Sequence, residues 1–561
     1  MLSRRDDTFQ TLVVHFSHRF FDTDTPSEES VPRNRLIQFL ALIAVASPLL
    51  MILVIYGMQG IQLRIGGFDL AWLQAGIHYA LVCYSMAVMG LVMTFSWDSL
   101  FLDKRDYLIL GSLPISAKRL FAAKAVAVAV ILLLFAVATN VVLAVFVLFM
   151  EPRALLGHVV GVLGGAVFAA LFFTAVQGIL ISLLPVNVFR RISASIQQVS
   201  MALLLLMILV MPLLALSLRP LTLINSALLD YFPPAWFLGI YESLSFSPSA
   251  VPKAGVWAWT AVKMMTLVLL MVAISYGWSY RRHSRKVLES VDTNDLLPSV
   301  WNRIGATLLR EGLHANAFQH AAFDFIGKIS NRSSKHRVSS ALYSGLGLAL
   351  AMSAIFVIRP REAFPIGLSM SGILQAPAAL SFLVVVGWRA TFGIPYELPA
   401  NWIFQMTSRA GAKDFRKAIR KWLFVCRIVP LYLLLASFEL AWFDWRVAVT
   451  HLIFDLVTTA FLIEILFFGF PKVPFTCAYL QRKLQLAFYA VAYLIAYSTY
   501  TTMMVELKQW IVADPLHLMR FLAVSAIVLG VILIYRSITS AETSRFVYEE
   551  AEPTYQQLKL T

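Results

Sequence analysis

Three ionisable side chains lie inside apolar stretches of the sequence, where an unpaired charge is energetically costly. Arg427, Asp455 and Glu464 each fall in an apolar run long enough to cross a membrane. Charges in such runs mark a substrate or ion pathway, or they pair and hold helices together. Arg427 and Glu464 lie at similar depth, so we expect an ion pair between their helices, whereas Asp455 lies nearer the opposite face. We favour this pairing role over direct contact with a substrate.

Motifs for nucleotide hydrolysis, metal binding or covalent catalysis are missing from the sequence. The stretch FIGKISN has the Gly-Lys pair of a phosphate-binding loop, but Ala322 and Ile329 stand where that loop needs Gly and Ser or Thr. His314 and His320 join no convincing set of metal ligands. The three cysteines show neither paired metal spacing nor a disulfide framework. We therefore predict no catalytic residue, no metal and no cofactor in this chain, and we do not expect it to be an enzyme.

A charged island, WDSLFLDKRDYLILGSLPISAKRLFAAK at positions 97–124, separates two apolar runs. Its charged side chains can form charge-assisted contacts with a partner, and its leucines supply an apolar face. Pro114 would end the helix before it, and Ser116 could cap the next one. We predict a docking surface; the alternative is a solvated loop with a helix at the membrane surface. The residues assigned to docking are Asp98, Asp103, Lys104, Arg105, Asp106, Leu110, Leu113, Pro114, Ser116, Lys118 and Arg119, with Lys413, Arg416 and Lys417 in a matching later segment.

Composition places the chain among membrane proteins. Of its 561 residues, 59% are hydrophobic and 14% are charged, and the mean hydropathy is +0.75. Such a chain has too little polar surface to cover itself as a water-soluble globule. We predict an all-α, polytopic membrane protein. The first 35 residues lack the apolar centre of a cleavable signal peptide, so we expect the N-terminus to be retained.

Apolar runs of membrane-crossing length occur about twelve times. An even number places both termini on one side of the membrane. With that side cytoplasmic, the inward segments carry 34 of the 46 Lys and Arg residues and the outward loops carry 8. Basic residues favour the cytoplasmic side, so orientation accounts for the net charge of +15 without any nucleic-acid partner. The predicted spans are 36–58, 75–97, 121–149, 157–184, 200–217, 255–280, 338–358, 366–388, 422–441, 448–470, 486–504 and 518–535.

The predicted spans fall into two similar halves of six. An amphipathic stretch precedes each half, with Phe9 and Phe16 on one helical face in the first and Phe318 and Phe325 in the second. A long basic inward loop follows the second span of each half and contains an Ala-Lys pair, at 117–118 and at 412–413. This order of elements predicts a tandem duplication, which is common in transporters. The predicted segments are an N-terminal amphipathic interfacial helix in 1–35, a first six-span domain in 36–280, a cytoplasmic linker with the second amphipathic helix in 281–337, a second six-span domain in 338–535 and a cytoplasmic tail in 536–561.

The loop after the second span has the pattern D-x-x-x-L-x-x-L-P-I-S-x-x-x-L-x-x-A-K, from Asp106 to Lys124. With the interfacial helix and six spans around it, this half resembles the membrane subunit of bacterial ABC exporters of the second class. The second half matches in element order and in Ala412-Lys413. The resemblance implies a multi-pass permease of the bacterial inner membrane, surrounded by membrane lipids, that exports an unidentified substrate. It also implies separate cytoplasmic ABC ATPase subunits, which bind ATP and Mg²⁺ and receive this loop in a groove.

Two other classes of membrane protein share parts of this pattern. A twelve-span secondary transporter driven by an ion gradient would depend on intramembrane carboxylates such as Asp455 and Glu464. A polytopic enzyme acting on lipid-linked substrates would need clustered outward carboxylates, or a nucleophile with a base. The outward acidic residues are scattered over several loops, so we rank the enzyme last. These residues are Asp69, Glu151, Asp230, Glu242, Glu362, Asp444, Glu506 and Asp514.

One outward loop, at 218–254, contains the stretch DYFPPAWFLGIYESL. Its Pro pair and aromatic residues predict a re-entrant segment or an interfacial cap. The matching loop of the second half, at 505–517, is much shorter. Within the spans, Asn140 and Gln177 are expected to link helices by hydrogen bonds.

Overall fold

The computed structural model describes residues 2–21, 70–97, 113–245, 250–289, 317–358, 366–407, 412–468, 473–477 and 483–539, with single positions at 40, 44, 47, 48, 52, 110 and 470. Within these ranges the chain is almost entirely helical, which confirms the predicted all-α class. The chain divides into two compact units. The first comprises 1–293 with 356–367, and the second comprises 294–355 with 368–561.

The first unit is organised around one central helix, α2. This helix is apolar on all sides and buried along most of its length, as expected for a helix enclosed by others. Helices α4, α5, α6 and α8 pack around it. In chain order the helices of this unit are α1 (Leu2–Phe21), α2 (Leu70–Phe95), α3 (Ala117–Met150), α4 (Leu155–Leu183), α5 (Val186–Leu209), α6 (Met211–Leu223), α7 (Ala227–Tyr231), α8 (Pro233–Leu244) and α9 (Ala254–Glu289), with a short 3₁₀ helix at Pro152–Ala154.

Small residues bring α4 very close to α8. A side chain at Gly157 would overlap the backbone carbonyl of Tyr241, and one at Gly161 would crowd the carbonyl of Phe237. Glycine removes this obstacle and lets two helix backbones approach closely. The contact places the last turn of α8, with Tyr241 and Glu242, against the core of the unit.

The second unit has its core between α11 and α12 and around a group of aromatic rings. Trp388 lies with its ring centroid 4.8 Å from that of Trp422, and Phe392 packs against both. The helices of this unit are α10 (Ala317–Arg332), α11 (Ser334–Ile355), α12 (Met370–Thr391), α13 (Trp402–Thr407), α14 (Ala412–Leu423), α15 (Val429–Glu439), α16 (Trp445–Leu466), α17 (Lys483–Ala513) and α18 (Pro515–Thr539), with a 3₁₀ helix at Leu398–Asn401 and a π-helical segment at Phe424–Ile428. Between α11 and α12 in the chain, β1 (Phe356–Ile358) and β2 (Ile366–Leu368) form a two-stranded sheet that belongs, apart from Leu368, to the first unit.

Eight helices in the described part of the chain are long and apolar enough to cross a membrane, and nine if one bent pair counts as a single span. The protein is therefore a multi-pass membrane protein. The predicted span 36–58 lies outside the described residues apart from isolated positions. Helices α17 and α18 cover the last two predicted spans but are not among the eight. The count of twelve stays a prediction.

Two predicted boundaries differ from the structure. The predicted span 200–217 is two helices bent by 73°, because Pro212, the second residue of α6, lacks an N–H and its ring clashes with the preceding turn. The predicted outward loop 505–517 is mostly helix, because α17 continues to Ala513. The drop in hydropathy near Lys508 suggested a loop, but its charge is buried within the unit.

Candidate functional site

The predicted docking segment is described only in part. Asp98, Asp103, Lys104, Arg105 and Asp106 lie outside the described residues. The remaining positions lead into α3: Leu110 is partly buried, Leu113 and Pro114 are exposed, Ser116 is the N-cap residue, Lys118 is exposed and Arg119 is half-buried. The cap position of Ser116 is as predicted, but its side chain makes no capping hydrogen bond.

Helix α1 packs directly on the first turns of α3. Leu12 and Phe16, both buried, contact Leu120, Ala123 and Ala127. The ammonium of Lys124 lies over the Phe16 ring, 5.2 Å from its centroid. The residues just before α3 join this group through Leu110 and Ile115. The amphipathic helix and the end of the charged island therefore form one packed structure.

The second unit repeats this contact between α10 and α14. The rings of Phe318 and Phe325 lie 6.2 and 6.3 Å from that of Phe415. Phe415 and Ala418 are buried, as are Leu120 and Ala123, which precede them by 295 residues. That separation equals the one between the two Ala-Lys pairs. The matching docking residues are a half-buried Arg416 and an exposed Lys417, whereas the side chain of Lys413 lies outside the described residues.

The predicted ion pair between Arg427 and Glu464 is wrong, because each of these side chains has a different partner. Glu464 accepts a hydrogen bond from Arg420, with 3.2 Å between Nη1 and Oε2. The Arg427 guanidinium lies over two indole rings instead, 4.5 Å from the centroid of Trp388 and 5.0 Å from that of Trp422. Arg427 belongs to the π-helical segment, whose wider turn rotates its side chain away from the face that carries Arg420.

Asp455 pairs with a lysine that the sequence had suggested lay in a loop. The Nζ of Lys508 lies 2.8 Å from the Asp455 Oδ2 and also donates to the carbonyl of Leu374. One helical turn away on α16, His451 lies 3.3 Å from Glu439. All four ionisable side chains are buried. These two pairs link α15 to α16 and α16 to α17, and each brings oppositely ionisable groups together away from water.

The first unit contains a polar site that the sequence did not indicate. His78, in α2, contacts two carboxylates: its Nδ1 lies 2.7 Å from the Oε1 of Glu242, and its Nε2 lies 3.1 Å from the Oε2 of Glu151. Gln74, one turn earlier in α2, donates to the other oxygen of Glu151 at 2.9 Å. Three chain segments distant in sequence thus meet in the His78–Glu151–Glu242 triad. The prediction that the outward carboxylates are scattered is wrong for Glu151 and Glu242.

Aromatic rings enclose the triad on its buried side. The ring of Tyr241 stacks on His78 with centroids 4.1 Å apart, and His158 meets Tyr241 edge-on at 5.7 Å. Burial raises the pKa of the Tyr241 hydroxyl. The pKa of Glu151, which lies between α3 and the 3₁₀ helix, is lowered chiefly by its hydrogen bond with His78. Glu151 is therefore ionised at neutral pH.

One sequence signal could have located this triad. His78 is a titratable side chain inside an otherwise apolar stretch near the predicted outward end of α2. Such residues are functional candidates by default. Its carboxylate partners lie 73 and 164 residues away, so only the packing of α2, α3 and α8 identifies them.

The predicted outward cap forms α7, α8 and the turn between them. Asp230 accepts from the indole of Trp257 at 2.7 Å and pairs with Lys253 at 3.0 Å. Both hydrogen bonds lower the pKa of the Asp230 carboxyl group, and the one with Trp257 has the larger effect. Helix α8 is largely buried against α4 and α9. This segment is thus an integral part of the first unit, and it supplies Glu242 to the triad.

Comparisons with protein-family models, with curated proteins and with solved structures find no match to this chain. The described residues contain no group of three or more His, Cys, Asp or Glu that could hold a metal ion. Functional interpretation therefore rests on the geometry of the two units.

Proposed function

We propose that the chain is the transmembrane permease subunit of an ATP-driven exporter and that separate cytoplasmic ATPase subunits bind its inward loops. The observation that carries this proposal is the repeated contact of an amphipathic helix with the helix after the long inward loop, α1 on α3 and α10 on α14. Each contact ties a loop to a membrane helix through a packed apolar core. A force applied to the loop would move the helix with it, because packed cores deform little.

Exposed groups on the described part of the docking segment suit a protein partner. Leu113 has 48% of its surface exposed, beside an exposed Pro114 and Lys118. An apolar residue with charged neighbours is typical of the edge of an interface. In the second unit the exposed Lys417 and half-buried Arg416 supply basic groups for the same purpose.

The proposal predicts a gene for a nucleotide-binding subunit beside the gene for this chain, and it is tested by co-expressing the two proteins and purifying them through a tag on the permease. We expect the two to co-purify and the double variant Asp103→Lys/Asp106→Lys to lose the ATPase. The matched control is Glu506→Lys, whose exposed side chain lies on the predicted outward side. Intact assembly in the double variant would contradict the role given to the island.

A further variant tests whether the second unit also binds an ATPase subunit. Lys417→Glu reverses an exposed charge on α14 without disturbing the buried face of that helix. If both halves dock, this variant weakens ATPase binding as Lys118→Glu does in the first half. Movement of cargo by the purified chain alone, driven by an ion gradient, would overturn the proposal as a whole.

A secondary transporter is the second candidate, and one observation favours it. Asp455 with Lys508 and Glu439 with His451 form two buried ionisable pairs inside the second unit, one helical turn apart on α16. Buried ionisable side chains serve as proton relays in transporters. In that case neutralising Asp455 would abolish transport, while depletion of the ATPase would leave it unchanged.

A further inference from the structure

A cavity of about 240 Å³ opens beside the His78–Glu151–Glu242 triad. Its walls come from the first turns of α2, the junction of α3 with the 3₁₀ helix, and the last turn of α8. In the predicted orientation all three lie at the outward end of the first unit. The cavity has an apolar part, which includes Ala71, Ala75 and Met150, and a polar part formed by the triad with Gln74 and Ser245.

The triad has more negative than positive charge. Its two carboxylates share one imidazole, whereas Glu464, Asp455 and Asp230 each have a Lys or Arg partner. Arg153 also lines the cavity, but it is exposed, and no ion pair among the described residues joins it to the triad. A buried carboxylate without a full counter-charge is costly, so the site favours an additional cation.

The hydrogen bonds of His78 show that this cation can be a proton. A neutral imidazole has one donor and one acceptor, while an ionised carboxylate only accepts. Both ring nitrogens of His78 contact carboxylate oxygens. Two such bonds require either an imidazolium or a protonated carboxyl group. In the absence of another cation, the triad beside the cavity therefore holds one more proton than a neutral imidazole and two ionised carboxylates would.

Glu242 supplies an acceptor for a second cation. Its side chain is only 7% exposed and lines the cavity. The Oε1 atom is bonded to His78, and none of the described residues donates to Oε2. Glu151, with 32% of its side chain exposed, brings a second carboxylate to the same cavity. A group with several N–H donors can reach both.

The residues that line the cavity favour one class of ligand over others. A metal ion fits poorly, because both nitrogens of His78 are directed at carboxylates and leave no lone pair for coordination. An anion would meet two carboxylates at close range. An ammonium group has three donors for carboxylate oxygens, and a short alkyl chain attached to it can lie along Ala71, Ala75 and Met150.

We propose that this outward cavity binds a small organic cation with a primary ammonium group, in exchange for the proton shared by His78, Glu151 and Glu242. On binding, the ammonium donates to Glu242 and Glu151, and the proton leaves to water, so the charge of the site is unchanged. Gln74 holds Glu151 in place, Tyr241 stacks on the imidazole, and His158 packs on Tyr241. The site does not depend on an ATPase partner, so it can be tested on the purified chain alone.

Calorimetric titration of the full chain in lipid nanodiscs with n-propylammonium chloride tests the proposal. Sodium chloride at equal ionic strength and empty nanodiscs serve as blanks. We expect saturable binding at pH of about 7 and, from a comparison of phosphate with HEPES buffer, release of up to about one proton per cation bound. Absence of saturable binding by the wild-type chain, or binding of propionate instead, would overturn the proposal.

Variants separate the triad from nonspecific adsorption. Glu151→Gln and Glu242→Gln should each weaken binding roughly tenfold or more, since each removes a charged acceptor. The matched control Glu506→Gln, at an exposed position of α17, should bind as the wild type does. Unchanged affinity in both triad variants would contradict the assignment.

Two further variants test the proposal even if Glu242→Gln does not fold. Ala71→Leu, at an exposed residue of the cavity wall, narrows the cavity without touching the triad and should weaken binding. His78→Gln removes the imidazole that shares the exchanged proton, so fewer protons should be released per cation bound while binding persists. Proton release equal to that of the wild type in His78→Gln would show that the proton comes from elsewhere and would overturn the exchange.

Discussion

Polar side chains within the helices make specific contacts with neighbouring helices. Asn140 donates to Ser85 of α2 at 2.9 Å, and Gln177 donates to the carbonyl of Trp97 at 2.6 Å. Both contacts confirm the predicted role of these amides. Asp455 and Lys508 add a charged example, in which each buried side chain has the other as its counter-charge. These polar and charged side chains can be buried because each has a hydrogen-bonding or charged partner.

The Asp455–Lys508 pair predicts a pattern in a double-mutant cycle. Asp455→Asn or Lys508→Met alone leaves an uncompensated buried charge, so each should destabilise the chain by about 3–5 kcal/mol. The combined variant removes both charges and should regain most of that loss. Thermal unfolding of the four proteins in one detergent provides the measurement. A combined variant less stable than either single variant would contradict pairing as the reason for their burial.

Helix α1 is an amphipathic element whose apolar face is covered within its own unit. Leu12 and Phe16 pack on α3, while Val14 and His15, on the other face, are exposed. The sequence predicted an amphipathic helix from the positions of Phe9 and Phe16, but not its neighbour. Contact with α3 joins this element to the end of the predicted docking segment, which includes Leu110 and Ile115.

Phe16→Ala tests that contact. A buried Phe→Ala substitution lowers the free energy of unfolding by about 3–5 kcal/mol. This loss exceeds the stabilisation that we expect a helix at the edge of the unit to gain from its remaining contacts. We expect faster hydrogen–deuterium exchange across Leu2–Phe21 and weaker ATPase binding. Val14→Ala, on the exposed face of the same helix, is the matched control and should change neither. Unchanged exchange in Phe16→Ala would show that α1 is held by something other than its packing on α3.

The whole molecule is a multi-pass membrane protein whose orientation the distribution of basic residues predicts. Positions 113 and 228 lie on opposite sides of the membrane in that topology. Leu113 and Leu228 are both well exposed in the structure. The native cysteines, Cys83, Cys426 and Cys477, are all buried, so the background of thiol labelling should be low.

Single cysteines at those two positions test the orientation. In intact cells a membrane-impermeant maleimide should label Leu228→Cys and leave Leu113→Cys unlabelled. After permeabilisation both should react, which controls for accessibility within the fold. The opposite pattern would invert the predicted topology and would place the docking segment outside the cell. It would also move the cavity beside His78 to the cytoplasmic side.

The sequence by itself determined the class of protein, the helical character of the described segments and most helix positions. It could do so because hydropathy and helix propensity are local, and each membrane helix satisfies its own backbone hydrogen bonds. The burial of Lys508 could not be read from the sequence, since it depends on a partner in another helix. The bend at Val210 follows from Pro212, a local signal that the prediction of one continuous span did not take into account. Only the tertiary structure decided which charges meet. It joined Glu464 to Arg420 and gathered His78, Glu151 and Glu242, because such contacts depend on which helices are neighbours and how each is rotated.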